Sequence, residues 1–304
     1  MARLIVSLFM FVLAGLATAA SGLETVKITD RVYALVGPLE QRSEANLGNN
    51  ATFGFIVTEK GIILIDSGGT LKGAKAIEQK IREVSGQPII KVINTGGQDH
   101  RWFGNAHFIK QGASVYSSAE TLADHQARKN DQIERMSGWV NNAWQGTEPA
   151  YASDIVDTVH DLKFDDLTIR MVPVGPAHTG GEMLVWLPEE GVVFTGDVVY
   201  TERMLGVGSQ SQHKPWIEAF DKVSELSPKV VVPGHGHPTD LEKAKKDTLD
   251  YLVFLRAQVG LLIEDGGEMQ DVSSIDQSAF SYLEVYEQIH MRNVQRVFEE
   301  MEWE

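Results

Sequence analysis

The segment at residues 94–105 has the sequence NTGGQDHRWFGN, and it decides the fold that the chain is expected to adopt. It follows the apolar run IIKVI at residues 89–93, which is typical of a buried strand in a parallel sheet. Strands of this kind place ligand-binding residues at their carboxyl ends. We therefore expect Asp99 and His100 to lie in a glycine-rich loop at a functional edge of a sheet.

Three later segments carry further side chains that could bind a metal. His178 lies in GPAHTGG, Asp197 lies in FTGD and His235 lies in PGHG. Upstream, residues 49–70 have the sequence NNATFGFIVTEKGIILIDSGGT, which predicts two strands and an IDSG turn. In this order, the segments resemble the metallo-β-lactamase superfamily over about residues 25–240.

The resemblance implies a four-layer αββα sandwich, in which two sheets pack face to face between layers of helices. We assign residues 1–20 to a signal peptide and residues 24–240 to the metallo-β-lactamase-like domain. In residues 241–304, apolar side chains such as Leu252 and Leu255 recur at helical spacing. This last stretch is therefore predicted to be a C-terminal helical extension.

The resemblance also implies a metal site that lacks part of its ligand set. In the superfamily, an HxHxDH motif supplies two histidines to a first metal and an Asp-His pair to a second. Aligning Asp99 and His100 with the end of this motif puts Thr95 and Gly97 at the two preceding histidine positions. Neither residue has an imidazole, so both are degenerate ligand positions.

Five residues remain as candidate metal ligands after this alignment, with His178 from the first site and the others from the second. The candidates are Asp99, His100, His178, Asp197 and His235. Asp99 is also the candidate catalytic residue. The chain has no cysteine, so every donor is nitrogen or oxygen. Such donors suit one divalent ion, with Zn²⁺ first and Fe²⁺ or Mn²⁺ as alternatives.

Three more residues are predicted to support the metal or the substrate. Asp66, in the IDSG turn, is expected to hydrogen-bond the loop that carries Asp99. Gln98 precedes that aspartate in the glycine-rich loop. His237 lies two residues after His235 and is expected to support the ligands rather than to bind the ion itself.

The composition limits the partners. The chain has 304 residues, of which 27 are Lys or Arg and 42 are Asp or Glu, which gives a formal net charge of −15. This charge disfavours nucleic acid, since binding to nucleic acid depends on neutralising phosphates. A small-molecule substrate is expected instead. No segment after the leader has the roughly 18 consecutive apolar residues that indicate a membrane span.

The first 20 residues have the pattern of a secretory leader. Arg3 precedes an apolar run at residues 4–16, and Ala17, Thr18 and Ala19 follow as a small-residue cleavage pattern. Cleavage and export to the periplasm are expected, and an uncleaved N-terminal anchor is the alternative.

Two functions remain open from the sequence. The first is an exported metallohydrolase with one metal that acts on a small ester, lactone or thioester, because the resemblance associates an Asp at position 197 with such substrates rather than with penicillins. The second is a non-catalytic binding or accessory protein, which Thr95 and Gly97 favour. Residues 293–298 resemble an exported branch found near periplasmic oxidation systems, which implies a redox partner. A mononuclear-iron dioxygenase is disfavoured, because such relatives use the first site.

Overall fold

Two β-sheets form the centre of the fold in the computed structural model, which describes residues 22–164 and 166–304. The predicted signal peptide lies outside the described residues. The strands of the first sheet are β1 (Glu24–Lys27), β2 (Val32–Val36), β3 (Thr52–Thr58), β4 (Gly61–Ile65), β5 (Ile89–Ile93), β6 (Ser114–Ser118) and β7 (Asp154–Val156). Those of the second are β8 (His160–Phe164), β9 (Leu167–Gly175), β10 (Glu182–Leu187), β11 (Val192–Phe194) and β12 (Val230–Val232).

Each sheet follows a simple strand order. The first sheet runs from β1 to β7 in sequence, with antiparallel pairing up to β4 and parallel pairing from β4 to β7. The second runs β12-β11-β10-β9-β8, and its β11–β12 pair is parallel. The parallel strands β5, β11 and β12 are short and apolar, as expected for strands that are covered on both faces.

Helices cover the outer faces of both sheets. They are α1 (Leu71–Arg82), α2 (Asp99–Trp102), α3 (Asn105–Ile109), α4 (Ala119–Val140), α5 (His213–Glu225), α6 (Leu241–Ala244), α7 (Asp250–Glu264) and α8 (Tyr286–Met301). A π-helical turn at Lys245–Leu249 joins α6 to α7. Short 3₁₀ turns lie at Asn141–Trp144, Gly196–Val198, Met269–Ser274 and Ser278–Phe280.

The helix α1 shows how the sequence sets a local boundary and a buried face. The Thr70 side chain accepts a hydrogen bond from the backbone N–H of Gly73 and caps the first turn. Ala74, Ile77 and Ile81 follow at spacings of three and four, and all three are buried. The predicted amphipathic pattern therefore packs one stripe of this helix against the first sheet.

Three apolar clusters give the layer order. One cluster lies between the sheets and joins residues such as Ile63 and Val185. A second covers the outer face of the first sheet, where Ile77 packs with Leu64. A third covers the outer face of the second sheet with side chains of α5, α7 and α8, including Phe298. The predicted αββα sandwich with C-terminal helices is confirmed.

The fold brings the ends of several strands to one edge. The turn α2 begins six residues after the end of β5, the 3₁₀ turn at Gly196–Val198 follows β11, and the PGHG segment follows β12. An isolated bridge between Tyr200 and His235 ties two of these loops together. Across residues 22–164 and 166–304, we find no helix with both the length and the apolar character of a membrane span.

Candidate metal centre

Three buried side chains converge at this edge of the fold. One ligand atom from each of His100, Asp197 and His235 lies within 4.8 Å of the other two. The Nε2 of His100 is 3.3 Å from Asp197 Oδ2, and the Nε2 of His235 is 3.3 Å from Asp197 Oδ1. The buried His100 Nε2 has no hydrogen-bond partner among the described residues. Buried polar atoms are normally paired, so an ion is a candidate partner for this nitrogen, while Nδ1 of the same ring lies 2.6 Å from Arg42 Nη2.

His235 and Asp197 are held in the protonation states that bind metals. Burial lowers the pKa of His235 well below its usual value, so its imidazole is neutral at ordinary pH. Burial opposes the charge of Asp197, but Arg101 and the two histidines outweigh it and hold the pKa of that carboxyl well below its usual range. A neutral imidazole and an ionised carboxylate are the forms that ligate a divalent ion. Two imidazoles and one carboxylate thus fit zinc, with a fourth position open.

Arg101 is a functional residue that the sequence analysis missed. Its guanidinium is fully buried, and its Nη2 donates to Asp197 Oδ1 at 2.6 Å while its Nη1 donates to Asp66 Oδ2 at 3.0 Å. The same side chain donates to the backbone carbonyl oxygens of Thr52 and Gly234, each at 2.9 Å. It therefore neutralises two buried carboxylates and joins the loops that carry them. A signal for Arg101 was available, because two aspartates that are expected to be buried need a cation near them and the sequence analysis assigned none.

Asp99 lies beside this group and not within it. Its Oδ1 is 2.7 Å from Arg42 Nη2 and accepts the backbone N–H of His100 at 2.8 Å. Burial is outweighed by Arg42 and His100, which hold the pKa of Asp99 well below its usual range. Asp99 Oδ1 lies 3.4 Å from His100 Nδ1, but Asp99 is not part of the group whose ligand atoms lie within 4.8 Å of one another. The structure thus places the predicted ligand and catalytic residue Asp99 in a salt bridge.

His178 lies near the three-residue group without joining it. The ring is buried, its Nδ1 has no hydrogen-bond partner among the described residues, and its edge contacts Trp216 with ring centroids 5.3 Å apart. Burial lowers the pKa of His178 to about 4, so it is neutral at ordinary pH. It is available as a hydrogen-bonding group or as an additional ligand.

The two degenerate positions are occupied by other interactions. Thr95 donates to Asp66 through both its backbone N–H and its hydroxyl, each at 2.8 Å. A Cβ added to Gly97 would lie 1.9 Å from Asp124 Oδ2, and that carboxylate is held by Arg128. The space beside Gly97 is therefore filled by an ion pair, so a larger side chain could not enter without displacing it.

The supporting residues predicted from the sequence lie in different surroundings. Asp66 holds the loop before Asp99 through its two bonds from Thr95. Gln98 borders the cavity described below, and its buried Oε1 has no partner among the described residues. His237 is half exposed and pairs with Glu202 at 2.7 Å, which places it outside the group.

A cavity of about 430 Å³ lies over the three-residue group. His100, His178 and His235 border it, together with parts of the 203–210 loop and of α8. The ring of Tyr200 stacks on His235 with centroids 4.5 Å apart and also borders the cavity. A small molecule in this cavity would therefore contact both histidines of the group.

Comparison with known families gives one match over most of the folded core. A family model described as the metallo-beta-lactamase superfamily matches residues 48–235. This range contains all three residues of the group and ends at His235.

Curated relatives and solved structures agree with this match. A metallo-beta-lactamase type 2 from Elizabethkingia meningoseptica is 24% identical over 202 residues, which are 65% of this chain and 73% of that protein. One from Bacillus cereus is 24% identical over 187 residues, which are 60% of this chain and 66% of that protein.

Among solved structures, a metallo-beta-lactamase from Pontibacter korlensis superimposes with a TM-score of 0.61 at 21% identity, covering 76% of this chain and 98% of that one. The crystal structure of DIM-1 metallo-beta-lactamase gives a TM-score of 0.58 at 18% identity, covering 75% of this chain and 95% of that one. At these identities the structural likeness shows the fold alone.

Proposed function

Because the chain belongs to the metallo-β-lactamase superfamily, we propose that it is a metal-dependent hydrolase with one divalent ion held by His100, Asp197 and His235. The observation that carries the proposal is the buried group itself, which lies beneath a cavity and in which His100 Nε2 has no hydrogen-bond partner in the part of the chain that the structure describes. Zinc is the proposed ion, and Fe²⁺ or Mn²⁺ are the alternatives, because two imidazoles and one carboxylate suit all three.

The residues of the site have distinct proposed roles. A divalent metal here would supply Lewis acidity, which lowers the pKa of water towards about 7 and polarises a carbonyl oxygen. Arg101 keeps Asp197 ionised and fixes its orientation through two hydrogen bonds. Gln98 Oε1 and His178 Nδ1 have no hydrogen-bond partner among residues 22–164 and 166–304, so they can orient the attacking water or the substrate at the cavity.

The proposed substrate is a small ester, lactone or thioester, and the proposed location is the periplasm. The cavity volume suits a small molecule. Residues 1–20 support export, with cleavage after Ala19 or Ala20. The intact mass of protein recovered from the periplasm tests this, and a retained Met1 would contradict it.

One observation favours a second function, that of a non-catalytic binding or accessory protein with a periplasmic redox partner. Arg101 already bonds both oxygens of Asp197, at 2.6 and 3.3 Å, so the carboxylate is satisfied without an ion. The ion pair of Asp124 and Arg128 fills the space beside Gly97.

Metal content separates these two functions. Protein purified without chelator should contain about one ion per chain by elemental analysis. His100→Ala and His235→Ala should each weaken zinc binding in calorimetry by more than the roughly 10–100-fold that loss of an outer partner costs. His160→Ala, at an exposed histidine far from the group in sequence, should leave it unchanged.

Two tightly held ions, or no ion after titration with zinc, iron and manganese, would contradict the proposed site. If one ion binds and a panel of esters, lactones and thioesters shows no turnover, the accessory function becomes the better account.

A further inference from the structure

Arginines are concentrated around the cavity, although the chain as a whole carries a negative charge. The sequence contains 12 arginines and 15 lysines at a net charge of −15. Five of the arginines and none of the lysines border this cavity, and the five are Arg42, Arg135, Arg203, Arg292 and Arg296. Among the described residues that border it, there is no aspartate or glutamate.

Two of these arginines have carboxylate partners. Arg42 pairs with Asp99, at 2.7 Å, and only a tenth of its side chain is exposed. Arg296 pairs with Glu299, which lies three residues further along α8. Their positive charges are therefore largely compensated within the protein.

The other three have no carboxylate within 4.0 Å in the part of the chain that the structure describes. Arg203 is 5% exposed, and its guanidinium donates to the Leu39 carbonyl oxygen at 2.7 Å and to Gln41 Oε1 at 3.0 Å. Arg135 and Arg292 are exposed at the cavity rim and take part in no salt bridge. A buried guanidinium without a counter-charge is costly, so a bound anion would stabilise Arg203.

Burial disfavours the charged form of Arg203. It lowers the pKa of Arg203 to about 10, and the charges of Arg42 and Arg292 act in the same direction while Tyr200 and Asp197 oppose them. An anion bound beside Arg203 would favour its charged form.

We propose that the cavity binds a small dianion, a molecule whose two negative charges are borne by carboxylate, phosphate or sulfate oxygens. Arg203 and Arg292 are the primary contacts, and Arg135 is the third. Arginine suits this role better than lysine, because its planar guanidinium binds oxyanions through two parallel hydrogen bonds. As a statement about the substrate, the inference rests on the proposed hydrolase function. As a statement about binding, it stands on the arginines alone.

Arg292 lies outside the part of the chain that the family model matches. It lies in α8, beyond residues 48–235 that match the family model. The helix lies against the 203–210 loop, where a Cβ on Gly206 would be 3.3 Å from Arg292 Nη2. The C-terminal extension therefore supplies part of the proposed anion site.

The test is calorimetric binding to metal-free protein, prepared with chelator that is then removed by dialysis. The probes are succinate, inorganic phosphate and sulfate as dianions, with acetate as the monoanion. At least one dianion should bind more tightly than acetate, and added NaCl should weaken the binding. Arg292→Gln should weaken it about tenfold, as expected for the loss of one charge-assisted contact. Arg203→Lys keeps the charge and should also weaken it.

The controls separate this inference from the metal proposal. Arg82→Gln removes an exposed arginine away from the cavity and should bind the dianion like the unmodified protein. His100→Ala should lose zinc and keep the dianion. If the unmodified protein binds a dianion but no metal, the inference is upheld and the hydrolase proposal fails. No binding of any dianion at millimolar concentration, or equal binding by Arg292→Gln, overturns it.

Discussion

Arg101 shows at the scale of one residue how a buried charge can organise a site. The side chain is fully enclosed and bonds Asp66 from the first sheet and Asp197 from the second. A buried ion pair contributes little by itself, but removal of one partner leaves the other uncompensated. Here, two carboxylates depend on one guanidinium.

We therefore expect Arg101→Met to lower the free energy of unfolding by about 3–5 kcal/mol in metal-free protein. Urea denaturation measures this change. The matched control is Arg170→Met, which breaks the partly exposed pair with Asp161 and should cost about 1 kcal/mol or less. A similar small loss in both variants would show that Arg101 does not compensate the two aspartates.

His125 gives a second prediction for a single residue, this time in pH dependence. It is fully buried, stacks on Trp102 at a centroid distance of 4.3 Å, and its Nε2 lies 3.1 Å from the Gly96 carbonyl oxygen. Burial lowers the pKa of His125 to about 3, and Arg128 acts in the same direction. Below its unfolded pKa of about 6.5, the unfolded chain gains a proton that the folded protein does not.

Stability should therefore fall as the pH drops from about 6.5 towards 3, because protonation favours the unfolded state. From pH 6 to pH 5, the unmodified protein should lose about 1 kcal/mol more than His125→Phe does. Urea denaturation at both values tests this, and His160→Ala should behave like the unmodified protein. Equal losses in the unmodified protein and His125→Phe would rule out the predicted proton linkage.

The pair Asp99 and His100 shows what the sequence could and could not predict about single residues. Position along the chain places Asp99 and His100 in the same loop, and that loop lies where the parallel-strand pattern predicts. It does not say which of two adjacent side chains turns inward, because this depends on the turn that α2 makes. A salt bridge with Arg42 fixes the position of Asp99, and Arg42 lies in a loop 57 residues earlier in the chain.

At the scale of elements, the C-terminal extension is part of the site and not an appendage. The apolar stripe predicted from Leu252 and Leu255 is buried against the second sheet's outer helices. The sequence could predict this helix because its spacing is local. It could not predict that α8 borders the cavity, since that depends on packing against a loop about 80 residues earlier.

Asn293 in α8 tests this connection. Its Oδ1 accepts the Val207 backbone N–H at 2.8 Å and its Nδ2 donates to the Leu205 carbonyl oxygen at 2.7 Å. Asn293→Ala should cost about 1–3 kcal/mol, because it leaves buried backbone groups unpaired. Chemical denaturation gives the cost, and hydrogen exchange should show a faster rate at Val207. Gln295→Ala, on the exposed side of the same helix, is the control. Unchanged exchange at Val207 would contradict the proposed tie.

At the scale of the whole molecule, the fold could be predicted from four local segments that occur in the right order. The charge of the cavity could not, because its arginines come from α4, α8 and separate loops. Composition alone would suggest an acidic surface throughout. Folding brings five of the 12 arginines to one cavity.

The site also predicts a difference from the curated relatives named metallo-beta-lactamase type 2. We expect the zinc-loaded protein to hydrolyse nitrocefin far more slowly than the enzyme median of about 10 per second. The proposed site has three candidate ligands for one ion, and the space beside Gly97 holds Asp124 and Arg128. A spectrophotometric assay tests this, with the same protein after zinc removal as the blank. Turnover near that median would refute the expectation.

The residues of α8 that border the cavity are separate from the three-residue group, so the proposed anion binding can change independently of the proposed metal ligands. Gln288, Arg292 and Arg296 are spaced by four, so they form one stripe along the cavity, while Val294 and Val297 hold the opposite side in the core. None of the three belongs to the group formed by His100, Asp197 and His235. Divergence or directed evolution could thus change the proposed bound anion through substitutions in α8, without altering the proposed metal ligands.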